Sequence, residues 1–261
     1  PPAPGEKRPV LVQVHGGAWV IGNKQQQAMP LLAHMAERGW VGVSINYRLS
    51  PRATWPDHIV DVKRALAWIK ENIAEYGGDP DFVAITGGSA GGHLSALAAL
   101  TPGEPQYQPG FEDADTSVVA AVPLYGRYDW FTSEGPGRRE FIAFLQKFVV
   151  KKRFADNRQV YLDASPITRI RPDAPPFFVL HGTDDSLIPV IEGREFVEAL
   201  RGVSTSPVAY AEMPHAQHAF DFYGSPRAHY TAEAVERFLS WVQAKRQRDP
   251  VTSEPAPSLS R

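Results

Sequence analysis

The run Thr86-Gly87-Gly88-Ser89-Ala90-Gly91-Gly92 sets a serine between glycines two residues away on each side. Glycines at that spacing allow a sharp, strained turn between strand and helix that lifts a nucleophilic hydroxyl clear of its neighbours. A glycine-rich helix start would show the same letters, so the partners decide. A serine hydroxyl is weakly nucleophilic near neutral pH; it needs an imidazole to take its proton and a carboxylate to fix that imidazole's tautomer. Two later stretches carry such groups. His181-Gly182-Thr183-Asp184-Asp185-Ser186-Leu187-Ile188-Pro189 offers adjacent carboxylates, and Pro214-His215-Ala216-Gln217-His218-Ala219-Phe220 offers two imidazoles. The order serine, aspartate, histidine suits acyl transfer. On these letters alone Asp184 and Asp185 stay interchangeable, as do His215 and His218.

Acyl transfer also needs donors aimed at the oxygen that becomes negative. His15-Gly16-Gly17-Ala18-Trp19 is a turn of small residues whose backbone can face a substrate unobstructed. The expected oxyanion hole is the N–H groups of Gly17 and Ala18, joined by that of Ala90 immediately after the serine. His15 reads as a hydrogen-bonded strut for this loop. No cofactor is expected, and no metal: His215 and His218 stand at i, i+3 but lack a third ligand cluster.

These loops must be held by regular elements. Short apolar runs at residues 10–14, 41–46, 82–86, 118–124, 177–181 and 208–212 read as buried parallel strands. Helical stretches are expected at 26–37, 57–76, 90–100, 139–154, 190–200 and 226–245. Alternation of this kind implies an α/β fold with a doubly wound, mainly parallel sheet, whose functional loops lie beyond the strands' carboxyl ends. One domain is expected over residues 1–246, with an insertion at about 128–170. A mobile tail is expected over 247–261, where three prolines and three serines replace apolar bulk.

Composition narrows the classes. With 27 basic and 29 acidic side chains among 261 residues, the net charge of −2 offers no footprint for nucleic acid. Cysteine is absent, which excludes disulfides, thiolate metal sites and thiol nucleophiles. Apolar runs such as Leu94–Leu100 fall far short of the roughly 20 residues of a membrane-spanning helix, so a soluble chain is expected. The opening Pro1-Pro2-Ala3-Pro4, without an initiator Met or a signal pattern, reads as the start of a piece cut from a longer protein. Compartment and oligomeric state are not legible.

Taken together, His15–Trp19, Tyr47-Arg48-Leu49-Ser50-Pro51, Gly87–Gly92, His181–Pro189 and His218-Ala219-Phe220 resemble the α/β-hydrolase esterases of the hormone-sensitive-lipase-like group, from about Val10 to Trp241. In that family the motif H-G-x-x-D-x-x-x-P carries the acid at its fifth position, which falls on Asp185. The motif H-x-F carries the base at its first, which falls on His218. The resemblance therefore implies a catalytic triad of Ser89, Asp185 and His218 acting on a small-molecule ester, with short to medium acyl chains the expected substrates. An amidase, formamidase or peptidase of the same fold is the alternative, and a non-catalytic binding module comes last. The chain departs from the family in two motifs: H-G-G-A replaces H-G-G-G, and Gly88 replaces the aspartate usual before the serine. A formamidase and feruloyl-esterase-like branch lacks that aspartate too.

For the substrate pocket, Trp19, Trp130 and Phe220 are the expected walls, because each adjoins a strand-end loop. Phe141, Phe144, Leu145, Phe148 and Val149 form one apolar face of a helix that ends in Lys151-Lys152-Arg153. That helix reads either as a lid over the pocket or as ordinary packing on the sheet. Membrane contact would come only through residues 141–153 or a segment upstream. Asp57 and Asp61 read as a solvated face or cap.

Overall fold

The computed structural model describes residues 7–135 and 137–248. Six strands form one parallel sheet: β1 (Arg8–Val14), β2 (Val41–Ile45), β3 (Gly78–Gly88), β4 (Ala120–Leu124), β5 (Phe177–Gly182) and β6 (Val208–Met213), in the order β2-β1-β3-β4-β5-β6. The helices are α1 (Met29–Glu37), α2 (Asp57–Asn72), α3 (Ala90–Leu100), α4 (Arg138–Phe144), α5 (Arg158–Asp163), α6 (Ile191–Val203) and α7 (Pro226–Arg248). The central strands β1, β3, β4 and β5 are largely buried on both faces. Val10, Val12 and Val14 of β1 join one apolar layer with α2 and α3, while Leu11 points into the other with α1 and α7. Burial on both sides is why the strands read as continuous apolar runs instead of alternating ones.

Strand order places the loops that matter. The chain leaves β1 for β2 on one side and returns on the other as β3, so β1 and β3 are neighbours at a switch point where a crevice opens. Val14 pairs with Gly87, which brings the His15–Trp19 loop and the Ser89 turn out of adjacent strands at one level. Asp57 and Asp61 of α2 grip Arg48 at 3.1 and 2.8 Å, fixing the segment after β2.

The expected helix over 139–154 is shorter. α4 runs into a π-helical turn at Leu145–Val149, and Lys151 takes a left-handed φ of 55°, so Lys151-Lys152-Arg153 lie beyond the helix and do not cap it. The π turn is closed by Val150 N–H donating to Leu145 O at 2.7 Å, and Trp55 N–H donates to the Val149 carbonyl at 2.9 Å. Of the expected tail, Gln247 and Arg248 complete α7, and residues 249–261 lie outside the described residues. Among the described residues no helix is long and apolar enough to cross a membrane.

Candidate active site

Ser89 sits between β3 and α3 with φ 59° and ψ −120°, a strained conformation for a residue with a side chain. Its N–H donates to Leu124 O at 3.0 Å, which ties the turn to β4. Gly91 is required by close approach: a Cβ there would overlap Val14 O and come within 2.8 Å of His15 O. A Cβ on Gly88 would lie 2.5 Å from the Tyr125 hydroxyl, so tyrosine fills the space beside the serine.

The His15–Trp19 loop is braced from three sides. The His15 ring stacks on Tyr47 at 4.2 Å and Tyr47 Oη donates to His15 O at 3.0 Å. Gly16 N–H donates to Gln27 Oε1 at 2.6 Å, and Trp19 Nε1–H donates to His93 Nδ1 at 3.2 Å. His15 is buried, which pushes its pKa down and suits a strut. Ala18 and Trp19 both adopt positive φ, 51° and 62°. Among the described residues no protein group accepts the N–H of Gly17 or Ala18. Ala90 opens α3, where the first N–H groups of a helix have no internal acceptor.

Asp185 and His218 come together: His218 Nδ1 lies 2.7 Å from Asp185 Oδ2. The other carboxylate oxygen accepts the N–H groups of Leu187 at 2.9 Å and Ile188 at 2.8 Å. Burial pushes the Asp185 carboxyl up, but hydrogen bonds from His181, His218 and Ile188 outweigh it and hold the group well below the usual carboxylate range. Asp184 and His215 instead pair with each other at 3.4 Å on the surface, with side chains 48% and 86% exposed. Among the described residues there is no hydrogen bond between Ser89 and His218.

Ser89 and Ala18 open into a cavity of about 390 Å³, walled by Trp19, Phe141, Phe144, Leu187 and Ile188. Two expected wall residues lie elsewhere. Trp130 is fully buried, stacked on His93 at 4.4 Å and edge-on to Trp19 at 4.7 Å, so it supports the wall from behind. Phe220 packs against Tyr125 at 5.2 Å on the other face of the sheet and is not part of the cavity lining. Phe141 and Phe144 make α4 a wall of the pocket. Arg127 also lines the cavity; its guanidinium lies 4.2 Å above the Phe141 ring and pairs with buried Glu192 of α6. Arg138 of α4 reaches the same carboxylate at 3.0 Å. Residues 127, 138 and 192 carried no motif, and only their shared burial identifies them.

A family model described as BD-FAE matches residues 1–200. The chain belongs to the BD-FAE family. This BD-FAE chain is 60% identical over 252 residues to the probable carboxylic ester hydrolase LipM of Mycobacterium tuberculosis, covering 97% of the chain and 58% of LipM. To esterase LipQ of the same organism it is 54% identical over 244 residues, covering 94% of the chain and 58% of LipQ. The chain thus spans less than two thirds of the length of these curated relatives. A thermophilic esterase from Thermogutta terrifontis, solved with butyrate bound, superposes with a TM-score of 0.77 at 26% identity, over 92% of this chain and 85% of that one. The BD-FAE chain has the α/β-hydrolase fold of such esterases, as the resemblance implied.

Proposed function

We propose that this chain hydrolyses carboxylic esters of short to medium acyl length through an acyl-enzyme on Ser89. The observation that carries the reading is the 2.7 Å pairing of His218 with the buried Asp185, at the carboxyl end of the sheet where Ser89 and Ala18 share one apolar cavity and the N–H groups of Gly17 and Ala18 are unengaged. The names of LipM and LipQ and the butyrate complex of the Thermogutta esterase support it.

In this reading His218 Nε2 takes the Ser89 proton as the hydroxyl oxygen bonds to the ester carbonyl carbon. The carbonyl oxygen becomes negative and is received by the N–H groups of Gly17, Ala18 and Ala90, preorganised by the bracing of their loop. Asp185 holds Nδ1–H and so leaves Nε2 free as the base. The imidazolium then gives its proton to the departing alcohol, leaving the acyl group on Ser89. Water repeats the sequence: His218 deprotonates it, its oxygen bonds to the acyl carbon, and Ser89 leaves with the proton returned. The acyl chain lies among Trp19, Phe141, Phe144, Leu187 and Ile188.

The test is the initial rate on p-nitrophenyl esters from acetate to palmitate, with matched anilides, for wild type and Ser89→Ala. Ester turnover that peaks at short or medium chains and is lost in the variant is expected. Folded wild-type protein inert toward every ester, or a Ser89→Ala variant as active as wild type, would overturn the reading.

A further inference from the structure

Behind the His218 ring lies a tyrosine in a conformation that tyrosine rarely adopts. Tyr125 follows β4 directly with φ 37°, and its N–H is fastened to Leu180 O at 2.7 Å. A buried residue held there against steric preference points to a function that the fold maintains. Its ring meets the His218 ring edge-on at 4.8 Å and the Phe220 ring at 5.2 Å, so it touches the imidazole-bearing loop twice. Its hydroxyl donates to Asp221 Oδ1, three residues beyond His218.

The same hydroxyl explains the glycine before the serine. A Cβ on Gly88 would stand 2.5 Å from Tyr125 Oη and 2.8 Å from Cζ, so Tyr125 and a side chain at position 88 exclude each other. Gly88, Tyr125 and Asp221, with Gln13 and Gln27, line a small polar crevice beneath the serine turn. Gln27 is also the acceptor for Gly16 N–H of the oxyanion loop. Gly88 itself brings no carboxylate to this crevice; Asp221 does, delivered by the loop that carries the imidazole.

We propose that Tyr125 and Asp221 are positioning residues for His218: the tyrosine ring and hydroxyl hold the imidazole's loop in register with Ser89, and the Asp221 carboxylate favours the imidazolium that forms during turnover. This rests on the assignment of His218 as the base. The titratable groups against the His218 ring are Asp185 and Tyr125; Asp221 lies behind the Tyr125 hydroxyl, and His181 lies behind Asp185 at 3.5 Å. Burial raises the Asp221 carboxyl above its ordinary range, while the Tyr125 hydrogen bond and the nearby imidazole oppose that rise.

The test uses the whole chain with p-nitrophenyl butyrate, comparing wild type, Tyr125→Phe, Asp221→Asn, His218→Ala and Ser89→Ala, each checked for folding by near-ultraviolet circular dichroism. Phe keeps the ring and Asn keeps an acceptor, so the two conservative variants probe the contact from opposite ends, and either one folded is sufficient. Each is expected to lower kcat by about 10- to 100-fold with KM little changed, as misplacement of a base should. In Asp221→Asn the acidic limb of kcat/KM should also move to lower pH, because the loop that carries the imidazole has lost an opposite charge. A merely structural contact would lower the melting temperature without moving that limb. Wild-type kcat and an unmoved limb in a folded variant, with Ser89→Ala and His218→Ala inert, would refute the positioning role and leave the esterase reading intact. Full activity in His218→Ala would instead remove the assignment on which the role depends.

Discussion

Glu192 is the single carboxylate between two guanidinium groups, and its replacement by glutamine tests whether that cluster holds the pocket wall in place. Arg127 and Arg138 are 7% and 8% exposed at their side chains, and both reach the same oxygen, Glu192 Oε1. Burial pushes the Glu192 carboxyl up and the two arginines pull it down. Glu192→Gln keeps the shape but leaves two desolvated cations facing each other. Removing one partner from a buried ion cluster costs about 3–5 kcal/mol, a large part of a total stability of about 5–15 kcal/mol. With a urea slope of about 3 kcal/mol per molar, the denaturation midpoint should fall by about 1–1.7 M. The loss should be accompanied by a higher KM, because Arg127 covers Phe141 and Arg138 begins α4, whose Phe141 and Phe144 wall the cavity. The pH profile should not move, since none of the three touches His218. A triple replacement, Arg127→Met, Glu192→Met and Arg138→Leu, removes every charge at once and should recover most of the stability. A midpoint for Glu192→Gln within about 0.3 M of wild type would show that the cluster contributes under 1 kcal/mol and does not hold the wall.

Gly91→Ala would push a methyl group into the carbonyls of Val14 and His15, backbone atoms of β1 and its following loop that cannot move aside. A loss of about 3 kcal/mol or more is expected, seen as a melting temperature roughly 10 °C lower; an unchanged melt would contradict the packing described. Burial lowers His58 to about 4 and His93 to about 3, from 6.5 in the unfolded chain. Below pH 6.5 the unfolded chain therefore binds protons that the fold refuses, so stability is complete above that pH and falls as pH drops toward 4. Two such sites give at most about 2.7 kcal/mol per pH unit. Asp185, held low, adds a loss below about pH 4, while the raised carboxyls of Glu192 and Asp221 pull the other way. Urea midpoints that stay flat from pH 7 to 5 would sink this account.

Much of the architecture was legible because parallel strands are buried on both faces and announce themselves as short β-branched runs. Val10–Val14 and Phe177–His181 lie within observed strands. The loops carrying Ser89, Asp185 and His218 were legible because glycine spacing and motif position do not depend on packing. What pattern could not convey was direction. Trp130 adjoins a strand-end loop as Trp19 does, but stacking on His93 turns it into the core. The end of α4 was hidden as well, since nothing in Leu145–Val149 distinguishes a π turn from an α turn until the Val149 carbonyl is seen to accept Trp55 N–H. The Arg127, Arg138 and Glu192 cluster joins residues up to 65 positions apart and has no local signature.

The segment after Asp185 does two jobs with different parts of the same residues. Leu187 and Ile188 grip the carboxylate with their peptide N–H groups and also wall the cavity beside Ser89. The grip is indifferent to side-chain identity, so evolution or an engineer can redraw the cavity at these two positions without disturbing Asp185. Proline alone is barred, because it would withdraw the donor. The shape of the cavity and the hold on the carboxylate are thereby inherited separately, although they are encoded in the same two codons.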